Sequence, residues 1–284
     1  MREEHTSNTT LCSTANYGIE TCPADEWLYA VGERSPAVTR MANGRNIKQI
    51  DLLMELDLTK EAALTRAEVT SIILYTGPMY QIYNTVLRKY PAAKYSELAL
   101  TNSLFPTTIC VMVSAIQKIA RKMKLEAGQV LYRGLDGNMS LPSWFDTPDE
   151  HGCLGIMEPG FMSTTSSLDV AVKYTNIDKG SQAPKVFKIV VGSVDRGADI
   201  SSYSQYEGEQ EFLYVPRSFL EPVADRELLV TDKGIVQLLG VKVNANLKTV
   251  TIEEYEKRKK DLHLALFKLM AQDLEAQLGK VSAM

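Results

Sequence analysis

The strongest constraint on the fold is a change of pattern near Gly128. Before it apolar residues recur at helical spacing; after it they come in short β-branched or aromatic runs bounded by Gly, Pro and Asp. In the first part Ile47, Ile50, Leu53 and Met54 recur at three and four. Thr65-Arg66-Ala67-Glu68 reads as a capping box opening the next helix, and Pro106 to Lys124 reads as another helix. The breaks fall at Leu104 to Thr107 and at the turn Gly77-Pro78. In the second part, strands are predicted at Val130 to Tyr132, Gly160 to Thr165, Val186 to Val191, Phe212 to Val215 and Ile235 to Val243. A short helix over Leu168 to Tyr174 fits between them. Helices followed by strands argue for an α+β fold rather than a doubly wound sheet. A Glu- and Lys-rich helical pattern over Ile252 to Leu278 closes the chain. The expected organisation is a loose arm over 1–24, a main domain over 25–250 and a C-terminal helix over 251–284.

Composition narrows the function. With 284 residues, 45% hydrophobic and 23% charged, the chain is long enough for a sizeable core and too apolar to be disordered. The 31 Lys and Arg against 35 Asp and Glu give a net charge of −4, so a nucleic acid is not an expected partner. His5, His151 and His263 are far apart, and Cys12, Cys22, Cys110 and Cys153 show no metal-ligand spacing. No metal site is therefore expected, and a Ser-His-Asp triad is disfavoured. The polar start and the lack of any run of about 18 apolar residues suggest a cytoplasmic protein with no membrane span and with reduced thiols.

Three segments carry chemistry. In Glu207-Gly208-Glu209-Gln210-Glu211-Phe212-Leu213-Tyr214-Val215, period two puts Glu209 and Glu211 on one face of a strand start. Two adjacent carboxylates call for a cation, unless they simply protect an edge strand. Val130-Leu131-Tyr132-Arg133-Gly134 ends an apolar strand on a guanidinium beside bare backbone. That geometry suits a diphosphate, but it also suits an ordinary surface Arg before a turn. Gly160-Phe161-Met162-Ser163-Thr164-Thr165 places hydroxyls on a strand leading into a helix, where they could orient a carboxylate or cap that helix.

Taken in order, Arg-Gly, then Phe-x-Ser-Thr-Thr, then Glu-x-Glu before an apolar run resembles the arginine-type, R-S-E class of mono-ADP-ribosyltransferases, which includes eukaryotic enzymes and bacterial toxins. The resemblance covers roughly residues 60 to 245, with Thr165 standing where the family has Ser. It implies a helical layer and two roughly perpendicular sheets forming an NAD cleft. It also implies NAD as a substrate, no metal, and an arginine-bearing acceptor protein. Glu211 would stabilise the ribosyl cation, with Ser163 hydrogen-bonding it. Arg133 would clamp the diphosphate together with Arg88 and Asn84, which share a helix face. Tyr80 and Thr165 would line the cofactor cleft, and the Gly134 backbone would lie against the nicotinamide amide. Glu209 would bind the acceptor guanidinium, with Tyr203 or Tyr206 stacking on it. The chemistry agrees with itself: nicotinamide leaves neutral from a cationic ring, so the carbocation is what needs a carboxylate. An NAD glycohydrolase on the same site is the alternative. A non-catalytic interaction module acting through the Arg258-Lys259-Lys260 to Met270 helix is a third reading.

Overall fold

The computed structural model describes residues 49–100, 104–123, 128–135, 141–142, 145–148, 154–179, 184–192, 196–206, 208, 210–244, 251–254, 257, 260–261, 263–264, 267–268 and 270–272. The expected arm over 1–24 lies outside them. The chain divides into two units, residues 1–248 and residues 249–284.

In the first unit the helical part comprises α1 (Ile50–Met54), α2 (Asp57–Glu61), α3 (Arg66–Leu74), a π-helical turn (Tyr75–Met79), α4 (Tyr80–Arg88), α5 (Ala92–Leu100) and α6 (Pro106–Lys122). Helix α3 opens with the predicted capping box: Thr65 Oγ1 accepts from the Glu68 N–H at 3.3 Å, and Glu68 Oε2 accepts from the Thr65 N–H at 2.8 Å. Glu68 is fully buried, and a buried carboxylate must be satisfied. It takes a second and third partner from α6, Ser114 Oγ at 2.7 Å and Lys118 Nζ at 2.8 Å. One side chain thereby caps α3 and fastens it to α6.

Gly77-Pro78 is not the predicted turn. Pro78 has no N–H and its ring cannot follow an α-helical turn, so the backbone widens into a π turn with Gly77 at φ −93°, ψ −163°. The chain then runs on into α4. Helix α6 begins where predicted, with Pro106 in its first turn after Phe105 in left-handed backbone.

The strands are β1 (Val130–Leu135), β2 (Ile156–Glu158), β3 (Met162–Thr165), β4 (Lys185–Val190), β5 (Ala198–Asp199), β6 (Glu211–Tyr214), β7 (Ser218–Thr231) and β8 (Gly234–Asn244), with α7 (Leu168–Lys173) after β3. They form one open sheet in the order β2-β7-β8-β4-β1-β3-β6-β5. The β4–β8 pairing is parallel, and the other pairings are antiparallel. The two sheets expected from the resemblance are blocks of this ladder. Strands β1 and β3 meet at a single pair, Tyr132 with Thr165, and that weak seam separates β2-β7-β8-β4-β1 from β3-β6-β5.

Two cores lie on opposite faces of β6. Leu213 joins Val69, Ile72, Ile73, Met112 and Ile116 of the helical layer, whereas Phe212 and Tyr214 join Leu131, Phe187, Leu239 and Val241. By strand alternation Glu211 shares the face of Leu213, toward the helices.

The sequence reading missed β2, β5 and β7. Strand β7 carries Glu221, Pro222, Asp225, Arg226 and Glu227, which suppress a strand signal, and a bulge interrupts its pairing with β8 between Pro222 and Arg226. The bulge folds closely over Gly240, where a Cβ would lie 2.7 Å from the Asp225 carbonyl oxygen. Lys188 of β4 secures it through Asp225 at 3.0 Å and Glu227 at 2.7 Å.

In the second unit the described residues from Ile252 to Gln272 are helical. Their start is a second capping box, in which Thr251 and Glu254 exchange hydrogen bonds at 2.9 and 3.4 Å. Among the described residues, no helix is long and apolar enough to cross a membrane.

Candidate active site

The site forms where the seam between β1 and β3 meets α4, the π turn and the start of β6. Arg133 stands on β1 with its side chain 21% exposed, and its Nη1 donates to the Ser163 carbonyl oxygen at 2.8 Å. Its Nη2 lies 3.8 Å from Glu158 Oε2. Arg88, at the last turn of α4, donates from Nε to Glu158 Oε1 at 2.8 Å. Two guanidiniums that the sequence placed 45 positions apart thus meet at one carboxylate, which the sequence reading did not single out.

Glu158 ends β2, and its Oε1 also accepts the Gly160 N–H at 2.9 Å. Burial pushes its pKa up. The Arg88 hydrogen bond, the charges of Arg133 and Arg88 and the Gly160 N–H outweigh that, and the net shift is downward. Arg133 moves below its ordinary value because burial and the neighbouring Arg88 outweigh the help of Glu158 and Glu211.

Gly160 explains how these groups come so close. A Cβ there would sit 2.7 Å from Asn84 Oδ1 and 2.9 Å from Arg88 Nε. Asn84 itself is buried, and its Oδ1 accepts the Phe161 N–H at 2.8 Å. It therefore ties α4 to the entry of β3. Tyr80 is exposed at the mouth, edge-on to Tyr75 with ring centroids 6.3 Å apart. Tyr75, buried in the π turn, is held protonated by burial first and by the Glu211 carboxylate second, against the Asn84 hydrogen bond and the charges of Arg133 and Arg88.

Glu211 opens β6. The register sets Thr165 directly opposite it and Ser163 opposite Leu213. Cross-strand partners are the closest pairs in a sheet, so Thr165 is the nearer hydroxyl-bearing residue. Ser163 contributes its carbonyl oxygen, which accepts from Arg133. Thr165 Oγ1 accepts the Ser167 N–H at 3.1 Å, and Ser167 in turn caps α7.

The backbone of Glu211 is held on both sides. Its N–H donates to Ser201 Oγ at 3.0 Å, and its carbonyl oxygen accepts the Ile200 N–H at 2.9 Å. The loop ahead of it is anchored by Gln205, which donates from Nε2 to the Ile73 carbonyl at 2.6 Å and from its N–H to Thr76 Oγ1 at 3.3 Å. Gly77 makes room for that amide, since a Cβ there would lie 2.6 Å from Gln205 Nε2. Neither Ser201 nor Gln205 has a sequence signature. Only their spatial partners identify them.

One residue sits differently from expectation. Tyr203 is fully buried in the helical core, with its hydroxyl 2.8 Å from Thr59 Oγ1, and it has no face for an acceptor. Its ring is apolar enough to be drawn inward and its hydroxyl finds a buried partner there, so burial costs little. Tyr206 is only partly buried. Gly134 packs closely under α7, where a Cβ would fall 2.1 Å from the Ala171 carbonyl oxygen. Glu207 and Glu209 lie outside the described residues. Among the described residues, no group of three or more His, Cys, Asp or Glu is placed to hold a metal ion.

Arg133, the hydroxyl-bearing strand β3 and Glu211 thus lie on three neighbouring strands of one open sheet. The chain matches the ADP-ribosyltransferase exoenzyme family over residues 48–239, well over half its length, and it belongs to that family. It is an NAD-dependent mono-ADP-ribosyltransferase. No curated protein matches it in sequence. Among solved structures it is similar to the ADP-ribosyltransferase Vis, at 19% identity and TM-score 0.47 over 76% of this chain and 93% of that one. It is also similar to HopU1 of Pseudomonas syringae pv. Tomato DC3000, at 22% and 0.49 over 68% and 85%. A third similar structure is the Clostridium limosum C3 exoenzyme, at 16% and 0.44 over 71% and 98%.

Proposed function

We propose that the protein transfers ADP-ribose from NAD to an arginine side chain of an acceptor protein, with Glu211 as the carboxylate that stabilises the ribosyl cation. The bond from ribose to nicotinamide breaks with both electrons leaving on the nicotinamide nitrogen, which becomes neutral. The ribosyl carbon is left cationic, and a carboxylate fixed beside it stabilises that charge more in the transition state than in bound NAD. The observation that carries this reading is the double backbone anchor on Glu211, by Ser201 and Ile200, at a strand start opposite Thr165. Those bonds fix the backbone from which the Glu211 carboxylate projects.

In the same reading Arg133 and Arg88 hold the diphosphate, which contributes positioning rather than bond chemistry. Asn84 supports them by fixing α4 to β3, and Ser163 acts through its carbonyl on Arg133. Tyr80, exposed at the mouth, closes over the ligand. Glu209 binds the acceptor guanidinium and takes its proton, with Tyr206 beside it. An arginine with a pKa above about 12 needs such a partner to become a nucleophile.

Nicotinamide release from NAD, measured with and without agmatine, tests the reading. Glu211→Ala is expected to lower release by about 10²–10³-fold, and wild type is expected to form ADP-ribosylated agmatine. Full turnover in Glu211→Ala would refute the assignment. The burial of Tyr203 removes one of the two rings proposed for the acceptor, which favours keeping hydrolysis by water as a second reading. Free ADP-ribose accumulating unchanged in the presence of agmatine would select it.

A further inference from the structure

We propose that Glu158 is a positioning residue of the NAD site, holding the guanidiniums of Arg88 and Arg133 together and aiming both at one diphosphate. This rests on the reading of those two arginines as the clamp.

Two like charges facing one cleft repel, and long side chains left to themselves turn outward to water. Glu158 removes both problems with one carboxylate. Oε1 takes the Nε edge of Arg88 at 2.8 Å, while Oε2 faces Nη2 of Arg133 at 3.8 Å. Glu158 takes Arg88 at its Nε, and among the described residues no hydrogen bond or ion pair occupies its Nη groups. Arg133 is oriented from the other side by the Ser163 carbonyl.

The carboxylate is itself fixed. Its side chain is 15% exposed, Oε1 accepts the Gly160 N–H at 2.9 Å, and the Glu158 carbonyl oxygen accepts the Arg217 N–H at 2.8 Å. Strand β2 pairs with β7 through Glu158 and Ser218, so its backbone cannot swing. Its position is therefore set by the sheet, and it passes that position on to two mobile side chains. Two arginines and one carboxylate give the cluster a net charge of +1, which attracts a doubly negative diphosphate.

A residue of this kind acts on ligand capture, not on bond cleavage, and the kinetics separate the two. Steady-state nicotinamide release and calorimetric NAD binding would be compared for wild type, Glu158→Gln, Glu158→Asp, Arg88→Ala and Arg133→Ala, with folding checked by circular dichroism. Glu158→Gln should raise KM and Kd for NAD on the order of 10-fold while kcat changes less than about threefold, and Glu158→Asp should recover part of the loss. Should Glu158→Gln not fold, Glu158→Asp carries the test by the same split between KM and kcat. A folded Glu158 variant with unchanged KM, alongside arginine variants that raise it, would overturn this inference alone. Arginine variants with unchanged KM would overturn the diphosphate reading and this inference together. A loss confined to kcat would also overturn it.

Discussion

Glu158 and Gly160 stand two residues apart and do opposite jobs. One supplies a charge that two arginines need, and the other supplies the space in which they meet it. Gly160→Ala would push a methyl group against Asn84 and Arg88, both already committed to hydrogen bonds. It should cost about 1–3 kcal/mol in urea denaturation and raise KM for NAD. Glu158 also predicts an acid limb of stability. Its folded pKa lies below the ordinary value of 4.5, so its contribution is complete above that value and is lost as pH falls through the depressed one. The melting-temperature difference between wild type and Glu158→Gln should be constant from pH 8 to about 5 and shrink below about 4.5. A difference that grows on acidification would contradict the ion cluster.

At the level of elements, Glu68 both caps α3 and links it to α6. Thr65→Ala removes one half of a cap and should cost about 1 kcal/mol. Glu68→Ala removes the other half together with the Ser114 hydrogen bond and the ion pair to Lys118, whose side chain is only 11% exposed, so it should cost about 3–5 kcal/mol. Equal losses in the two variants by denaturant titration would show that the link to α6 contributes nothing. The elements legible in sequence were those with local signals: the capping box of α3, Pro106 at the head of α6, and the apolar runs of β1, β3, β4, β6 and β8. The π turn was not legible, because Gly-Pro signals a break without saying whether the chain reverses or merely widens. Strand β7 was hidden because its stability comes from pairing with β8 and from Lys188, not from its own side chains.

At the scale of the whole molecule, the family match ends at residue 239 and the first unit at residue 248, so the chemistry should reside in the first unit. A chain ending at residue 248 should keep nicotinamide release within about threefold of full length. A complete loss in a protein that still folds would assign residues 249–284 a catalytic part, and loss of a captured partner with release intact would favour the interaction role for the C-terminal helix.

Residue order sufficed for whatever depends on neighbours along the chain: helices before strands, a capping box, and the Arg, Ser and Glu motifs that signalled the reaction class. Periodicity and caps act within one or two turns, so their physics is written locally. What required folding was everything made by distant segments. Glu158 meets Arg88 across 70 positions, Tyr203 disappears onto Thr59 across 144, and Thr165 rather than Ser163 faces Glu211 because of strand register. Such contacts arise from the pairing and packing of whole elements. No short pattern in the chain encodes where those elements will meet.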